Sequence, residues 1–435
     1  MGPHSRKAVT DLRQGDVCGP LDTTYCRTVR RVGAIGTAVF VAAMTVSACG
    51  TGHSGSPTAT RSAVSVSAHL AAAVTVSPAN GTTDVALNAP VIVTTRTGHL
   101  ASVQVTPPTG ASLIGSLNAA GTQWTSAGAL GATSTYQVKT LVRSRSGATG
   151  EETSSFTTLT PTAWVRATVW PDNGLSVGVG QPIVIKFSQP IITPTSRQSV
   201  LAFLHLSMSS PVPVGAYWFS PTELHLRPQS FWPTGEQIAF SYSLGGWDAG
   251  SGEWGQGTNS VTFTIGDSRI STANLATDQM TVTDNGQLVA TYPISAGRDQ
   301  YPTMDGTHIV LDRESQVQMI SSSVGIPVNS PNGYDETVYS DVHISDSGEY
   351  VHAAPWSVAA QGNTNVSHGC INVSPANAAQ FFNFSRVGDV VNVVGGPRPP
   401  EPGDHGVMDW STPWTSFTSV AVSPLTPPPA TAASS

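Results

Sequence analysis

Short runs of alternating apolar and polar residues recur along this chain, separated by Gly, Pro, Asn and Ser. A period of two predicts half-buried β-strands rather than helices. The clearest run is 279–292, where Asn285-Gly286 predicts a tight hairpin turn between two strands. Strands are also predicted at 341–344, 348–352 and 389–394. The chain is therefore expected to be mainly β.

One segment has the periodicity of a clear helix. Ser374 can cap its N-terminus, and Pro375 suits the first helical position. Ala378, Phe381 and Phe382 then share one face, which predicts an amphipathic helix packed on a sheet.

A weak internal repeat occupies the first half of the chain. The residues Val-Ser-Pro-Ala-Asn-Gly at 76–81 resemble Val-Trp-Pro-Asp-Asn-Gly at 169–174, and each motif is followed by short strand-like segments. This pattern predicts two immunoglobulin-like β-sandwiches, 73–160 and 161–266. Neither contains a cysteine pair, so neither is pinned by a disulfide. We expect them to act as spacers or contact modules.

The alternation of apolar and polar residues is lost at two places after the sandwiches. Residues 297–339 are rich in Gly, Pro, Asp and Ser, which predicts a long loop such as a lid. Trp410 and Trp414 predict a packed C-terminal extension over 397–420, bracing the third domain against the second sandwich. The Pro, Thr, Ala and Ser of 421–435 predict disorder.

The N-terminus has the pattern of an export signal. Arg27, Arg30 and Arg31 precede the short apolar run 32–48, so residues 1–48 are interpreted as a leader. Val-Ser-Ala-Cys, ending at Cys49, resembles a bacterial lipobox, which implies lipidation of Cys49 and an exported protein anchored to the cell membrane, facing the wall. An ordinary signal peptide is the alternative. The segment 49–72 is expected to be a flexible tether.

The net charge and the small fraction of charged residues argue against one class of function. The 435 residues carry a formal net charge of −7, and only 11% are charged, which does not suggest nucleic-acid binding. The loop between Asp248 and Glu253 has two carboxylates among glycines, but calcium usually takes six or more oxygens, so a plain acidic turn is favoured.

The candidate chemistry lies around one thiol. Cys370 is the only cysteine after Cys49, and it follows Ser367, His368 and Gly369. His352 lies upstream on a predicted strand. A lone thiol beside histidines and a glycine is the composition of a nucleophilic cysteine site, because a thiol needs a nearby base or cation to become a thiolate. A buried, inert cysteine is the alternative.

The spacing of His352 and the Ser-His-Gly-Cys-Ile-Asn run ending at Asn372 resembles the L,D-transpeptidases, cysteine enzymes that cross-link peptidoglycan. Residues 330–334, 350–357 and 373–378 resemble the same family. The resemblance spans about 267–396 and implies a β-rich catalytic domain there. Members of this family often carry one or two immunoglobulin-like domains ahead of it.

The resemblance also implies roles for residues. Cys370 is the nucleophile, and His352 is its base, oriented by the backbone carbonyl of Ala353. Direct participation of His368 stays open. Backbone N–H groups of Gly369 and Cys370 are candidates for the oxyanion hole. The residues placed at the substrate are Met319, Tyr334, Ser347, Gly348, Ala353, Ser367 and Asn372. Val324 occupies a lid position where an aromatic residue is expected.

The implied reaction is acyl transfer between stem peptides. The donor is a tetrapeptide stem that loses D-alanine, and an amine on a neighbouring stem accepts the acyl group to form a 3→3 cross-link. With water as the acceptor, the same site is an L,D-carboxypeptidase. Carbapenem β-lactams are expected inhibitors, and no cofactor or metal is expected.

Three alternatives belong to other functional classes. A sortase also pairs an upstream histidine with a cysteine, and His308 is placed accordingly, but the expected Thr-Leu-x-Thr-Cys is absent. A zinc site from His352, His368 and Cys370 would lack a fourth ligand. A non-catalytic wall-binding lipoprotein would not need the thiol.

Overall fold

The computed structural model describes residues 66–425. The leader, the candidate lipidation site Cys49 and residues 426–435 lie outside the described part of the chain. None of the helices within 66–425 has the length and apolar character needed to cross a membrane. The prediction of a mainly β protein is confirmed.

The first sandwich consists of a four-stranded sheet in the order β1-β2-β5-β4 and a three-stranded sheet in the order β3-β6-β7. The strands are β1 Val74–Ser77, β2 Ile92–Thr95, β3 His99–Thr106, β4 Gly115–Leu117, β5 Gln123–Ser126, β6 Thr135–Arg143 and β7 Thr149–Thr157. Trp124, Tyr136 and Phe156 fill the space between the sheets, and the rings of Tyr136 and Phe156 stack at 5.2 Å.

Part of the predicted tether is folded. Residues 66–72 are helical (α1), and Leu70 of this helix belongs to the core of the first sandwich. A side chain at Gly150 would collide with the helix, so the glycine permits its close approach to β7. Composition predicts flexibility because the segment has little apolar bulk, but one buried leucine is enough to fasten this turn of helix.

The second sandwich has two five-stranded sheets, β10-β18-β15-β12-β29 and β28-β13-β14-β11-β9, and a small sheet, β16-β17-β8. The C-terminal extension supplies two of these strands, β28 Thr418–Val420 and β29 Val422–Pro424. The sandwich's own strands are β8 Ala163–Val165, β9 Ala167–Trp170, β10 Ser176–Val177, β11 Ile183–Phe187, β12 Leu204–Met208, β13 Val214–Ser220, β14 Glu223–Pro228, β15 Gln237–Ser243, β16 Asp248–Gly250, β17 Glu253–Gly255 and β18 Thr258–Ile265. Helix α2, Pro194–Ser199, continues into a 3-10 turn at Val200–Phe203.

The third domain contains two sheets, β21-β20-β19-β27-β22 and β23-β24-β25-β26. The strands are β19 Arg269–Asn274, β20 Gln279–Asp284, β21 Gln287–Pro293, β22 Gly306–Ile309, β23 Asp312–Ile320, β24 Asp335–Ser345, β25 Glu349–Ala353, β26 Ile371–Val373 and β27 Val390–Val394. Helix α3, Pro375–Phe384, begins where predicted, with Ser374 Oγ accepting from Asn377 N, and it packs on β24 and β25. Asn285 and Gly286 have φ of 47° and 80°, as the predicted hairpin turn requires.

The predicted loop 297–339 is largely a hairpin, so that prediction is wrong for most of its length. β23 and β24 pair from Asp312↔His343 to Ile320↔Asp335, and the tip contains a 3-10 turn at Ser321–Val324. Much of β23 is exposed on both faces. Without a buried face, the strand has no reason to alternate apolar and polar residues, and this explains why the pattern did not reveal it.

The C-terminal extension returns to the second sandwich. Its elements are α4 Met408–Ser411, a 3-10 turn at Trp414–Ser416, β28 Thr418–Val420 and β29 Val422–Pro424. The last two strands pair with β13 and β12 respectively. Disorder was expected from residue 421, yet 422–424 are held by a ladder of backbone hydrogen bonds to a strand remote in sequence.

The extension and two glycines join the second sandwich to the third domain. Gly178 N donates to Val387 O at 2.8 Å, and Gly180 N donates to Gly388 O at 2.9 Å. A Cβ at Gly178 would lie 2.2 Å from Asp389 N, so only glycine allows this contact. Trp410 Nε1 donates to Gly180 O at 2.8 Å, and Arg227 lies over the rings of Trp410 and Trp414. Trp410 and Trp414 are therefore held against the second sandwich, and α4, which carries Trp410, also packs on β22 of the third domain.

Candidate active site

Parallel pairing of β25 with β26 assembles the centre of the site. The register places His352 opposite Asn372, and Cys370 directly precedes β26. Val351, Ile371 and Val373 are fully buried against the domain core, which fixes both strands. The thiol and the imidazole, eighteen positions apart in the sequence, are therefore brought to the same cavity.

Two adjoining cavities reach the thiol. The first has a volume of about 240 Å³ and the second about 250 Å³, and both are lined by Tyr334, His368 and Cys370. The first also contains the predicted residues Met319, His352, Ser367 and Asn372, and the second contains Ser347, Gly348 and Val324. Gly369 and Ala353 support the site through their backbones, as described below.

Cys370 is a half-buried, neutral thiol. Its Sγ donates to the Gly348 carbonyl at 3.6 Å. Burial raises the pKa of Cys370 to about 12, although the backbone N–H of Tyr350 partly offsets that effect. The thiol therefore needs a base at the moment it reacts, because it carries almost no thiolate near neutral pH.

His352 is held in the form that can accept a proton. Its Nδ1 lies 3.1 Å from the Ala353 carbonyl, and since a carbonyl only accepts, Nδ1 carries the hydrogen. Burial lowers the pKa of His352 to about 4, so the imidazole is neutral. Among the described residues, His352 Nε2 has no hydrogen-bond partner, because the Cys370 thiol donates to the Gly348 carbonyl instead. Such catalytic contacts often tighten only when substrate is bound.

The second histidine has a different set of contacts. His368 Nε2 lies 2.7 Å from Arg298 Nη2, and because a guanidinium only donates, the lone pair of Nε2 is occupied. Burial, with the charge of Arg298, lowers the pKa of His368. Tyr301 and Tyr334 lie against its ring at 5.0 and 4.9 Å. In this arrangement His368 shapes the wall between the two cavities.

The loop before the thiol is held by its own hydrogen bonds. Ser367 Oγ donates to the Cys370 carbonyl at 2.6 Å and accepts from Gly369 N at 3.1 Å, while Thr303 Oγ1 donates to the Gly369 carbonyl at 2.6 Å. The Gly369 N–H is therefore engaged by Ser367 Oγ, whereas a free N–H was expected of an oxyanion-hole donor. Gly369 has a φ of 131°, where side chains are strained, so this turn requires glycine.

The remaining predicted residues divide between lining and support. Asn372 is buried, and its Nδ2 donates to Ser357 Oγ at 3.2 Å. Ser347 N donates to Asp404 Oδ2 at 3.0 Å, which ties the Ser347-Gly348 turn to the C-terminal extension. On the hairpin, burial, with a smaller electrostatic contribution from Cys370, raises the pKa of Tyr334 to about 12, so its phenol is neutral.

Sequence reasoning missed three residues at the site. Arg298 and Tyr301 lie in a segment interpreted as loop, and Trp356, half exposed, lines the first cavity with its ring 6.1 Å from that of His352. Arg298 could have been noticed as a charge in a chain that has few, but nothing local indicated its partner, His368.

The structure does not support the sortase-like pairing. His308 is fully buried, with Nδ1 and Nε2 each 3.0 Å from a backbone carbonyl, those of Ile344 and Met304. It lines neither cavity at Cys370. At the Asp248 loop, Asp248 Oδ1 accepts from Gly250 N at 2.9 Å, as in a plain acidic turn.

Comparison with known proteins identifies the class. Residues 82–248 match the bacterial Ig domain family, and residues 268–393 match the L,D-transpeptidase catalytic domain family. The chain is 38% identical to L,D-transpeptidase 2 of Mycobacterium tuberculosis over 343 residues, covering 79% of this chain and 83% of that protein. L,D-transpeptidase 1 of the same species is 37% identical over 53% of this chain and 84% of its own length.

Solved structures of the same kind also align. The LD transpeptidase LdtMt1 in complex with imipenem is 34% identical, with a TM-score of 0.47, over 52% of this chain and 97% of its own. L,D-transpeptidase 3 from Mycobacterium tuberculosis, in complex with a faropenem-derived adduct, is 33% identical, with a TM-score of 0.46, over 52% and 97%.

The fold and family matches define a protein with immunoglobulin-like modules ahead of a transpeptidase domain. The chain belongs to the L,D-transpeptidase family and is a peptidoglycan cross-linking transpeptidase.

Proposed function

We propose that this protein forms 3→3 peptidoglycan cross-links through a thioester on Cys370. The Cys370 Sγ attacks the diaminopimelate carbonyl of a tetrapeptide stem, and its proton passes to His352 Nε2. The carbonyl–nitrogen bond to D-alanine then breaks, and the departing amine takes the proton from His352. An amine of a second stem attacks the thioester, forms the new amide and returns the proton to sulfur.

The observation that carries this proposal is the state of His352. A buried, neutral imidazole whose Nδ1 is fixed by the Ala353 carbonyl keeps Nε2 free to accept a proton. It lines the same cavity as the only thiol in the described chain. Because both groups are neutral at rest, proton transfer accompanies attack, as general-base catalysis requires.

The two cavities fit a reaction with two peptide substrates. Both reach Cys370 and they are separated by Tyr334 and His368, so one can hold the donor stem while the other admits the acceptor. If no acceptor amine occupies the second cavity, water can enter there and hydrolyse the same thioester, which would give L,D-carboxypeptidase activity.

We propose that carbapenems and related β-lactams acylate the same thiol. Of the two related structures above, one is a complex with the carbapenem imipenem and the other contains an adduct derived from the penem faropenem. Attack on the lactam carbonyl opens the ring without releasing a group. Intact-protein mass spectrometry should therefore show a gain equal to the whole inhibitor, with the Cys370→Ala variant unchanged.

The transpeptidase proposal is tested with purified tetrapeptide stems. Tandem mass spectrometry of the products should show dimers joined between two diaminopimelate residues and one D-alanine released per dimer. Release of D-alanine without dimers would assign the site to a carboxypeptidase. Formation of dimers by Cys370→Ala would remove Cys370 as the nucleophile.

We further propose that a lipid on Cys49 holds the enzyme on the outer face of the membrane, facing the wall. The support is the sequence alone: a basic n-region, a short apolar run and the lipobox-like Val-Ser-Ala-Cys. Detergent partitioning of exported wild type and Cys49→Ala tests this. Wild type should enter the detergent phase and the variant the aqueous phase; equal partitioning would overturn the proposal.

A further inference from the structure

A second cluster of reactive side chains lies away from Cys370, where the second sandwich meets the C-terminal extension. Glu223 and His225 are two positions apart on β14 and therefore share one face of the sheet. His405 approaches from the extension. Within the described residues, these three form the group of His, Cys, Asp and Glu whose ligand atoms lie within 4.8 Å of one another.

The two imidazole nitrogens approach the same carboxylate oxygen. His225 Nε2 lies 2.9 Å and His405 Nε2 lies 3.0 Å from the same oxygen, Glu223 Oε1. Zinc takes nitrogen and oxygen ligands at about 2.0–2.2 Å in tetrahedral geometry, which places neighbouring ligand atoms roughly 3.3 Å apart. The two contacts to Glu223 Oε1 are shorter than this spacing by only a few tenths of an ångström, and the two imidazole nitrogens lie within 4.8 Å of each other.

The far nitrogens of both rings contact carboxylates. His225 Nδ1 lies 2.8 Å from Asp409 Oδ1, and His405 Nδ1 contacts Asp346 Oδ2. A carboxylate behind each metal-binding histidine is the usual arrangement around zinc, since it fixes the tautomer and the ring orientation. Phe219 adds to this fixation because its ring stacks on both imidazoles, at 4.6 and 4.3 Å.

The cluster is reachable and has room for a further ligand. A cavity of about 370 Å³ is lined by Glu223, His225 and His405. Lys186 Nζ is 3.6 Å from Glu223 Oε1, but that side chain is 60% exposed and is free to move into solvent. Two histidines and a glutamate with an open fourth position form a recognised zinc ligand set.

We propose that Glu223, His225 and His405 bind one Zn²⁺ ion, with a water in the adjoining cavity as the fourth ligand. The ligands come from the second sandwich and the extension, so the ion links these two parts of the chain. Its role is to stabilise their arrangement and not to take part in acyl transfer at Cys370. The site takes a divalent cation of intermediate softness, which two imidazoles and one carboxylate prefer.

Metal content and a spectroscopic probe test the proposal on the full chain. After chelator treatment and dialysis, titration with Zn²⁺ should give one ion bound per chain and a higher melting temperature. Co²⁺ in place of zinc should give the intense visible absorption of a four-coordinate site. Both are measured in a Cys370→Ala background, so that the active-site thiol cannot supply a ligand. Absence of stoichiometric zinc would overturn the proposal.

Variants locate the ion. His405→Asn should weaken zinc affinity by more than about 100-fold, and Asp409→Asn by about 10- to 100-fold, since Asp409 only supports a ligand. His205→Asn, which changes an exposed histidine of the same sandwich, is the matched control and should bind as wild type. Carbapenem acylation of His405→Asn in the Cys370-containing chain checks its fold. Equal affinity of wild type and His405→Asn, or an equal loss in His205→Asn, would overturn the assignment.

Discussion

Two buried histidines in this protein differ in charge near neutral pH: the pKa values make His352 neutral and His225 positively charged. His352 at the active site and His225 at the domain interface are 3% and 1% exposed. Burial lowers the pKa of both, yet the pKa of His352 is left near 4 and that of His225 rises to about 9. His352 has only a backbone carbonyl as partner, whereas His225 lies between Asp409 and Glu223.

The comparison shows that neighbours, and not burial, decide what a buried histidine can do. An imidazole with a neutral partner stays unprotonated, and the proposed reaction at Cys370 requires an unprotonated imidazole to accept the thiol proton. An imidazole between carboxylates is held in place and joins parts of the fold. Changes around His352 should therefore alter the acylation rate at Cys370, whereas changes around His225 should alter the free energy of unfolding.

Replacing the nucleophile should have the largest effect. Cys370→Ala or Cys370→Ser should reduce cross-linking and carbapenem acylation to below about one part in a thousand of wild type. The melting temperature should stay close to that of wild type, because the thiol lies at the cavity and not in the core. Turnover above that limit would contradict the assignment of Cys370.

The two active-site histidines should differ. His352→Ala should lower the acylation rate by about 10²–10⁴-fold, since the base is lost. His368→Ala should cost much less, because the lone pair of His368 is bonded to Arg298. Ala353→Ser is the matched control and should be nearly silent, since only the carbonyl of residue 353 is used. Equal losses in the two histidine variants, or a severe loss in Ala353→Ser, would reverse these roles.

A change beside His225 should lower the stability of the fold and leave the acylation rate unchanged. Asp409→Asn removes one charge from a buried pair, and breaking such a pair typically costs about 3–5 kcal/mol of unfolding free energy. Denaturant unfolding should show this loss at neutral pH, while the acylation rate of the folded enzyme at Cys370 should be unchanged. A lower acylation rate with unaltered stability would mean that the two histidine sites are not separate.

A smaller effect is expected at the loop that presents the thiol. Gly369→Ala places a side chain at a φ of 131°, and strain of this kind costs about 1–3 kcal/mol. If the full strain is expressed in the transition state, carbapenem acylation should slow by roughly 5- to 160-fold. Gly286→Ala is the control, because Gly286 also has positive φ but lies in an exposed turn far along the chain from Cys370, and it should leave acylation unchanged.

The smallest effect should be the pH response near neutrality. Because the pKa of His352 is about 4, the imidazole stays a base as pH falls, and acylation should decline only as pH approaches that value. From about pH 5 to 7 the rate should be nearly constant, whereas a histidine with an ordinary pKa of about 6.5 would give a marked fall. Stopped-flow measurement of carbapenem acylation decides between the two, and a midpoint near 6.5 would contradict the assigned state of His352.

By itself, the sequence determined the elements whose patterns are local. Alternation and the Asn285-Gly286 turn predicted β20 and β21, Ser374 and Pro375 predicted the start of α3, and the spacing of His352 and Cys370 indicated the family. Tertiary structure alone decided the rest. β23 is exposed on both faces, Gly369 N is taken by Ser367, and His225 meets Asp409 across 184 positions. A local pattern records which face of a strand is buried, but contacts between distant segments depend on how those segments pack.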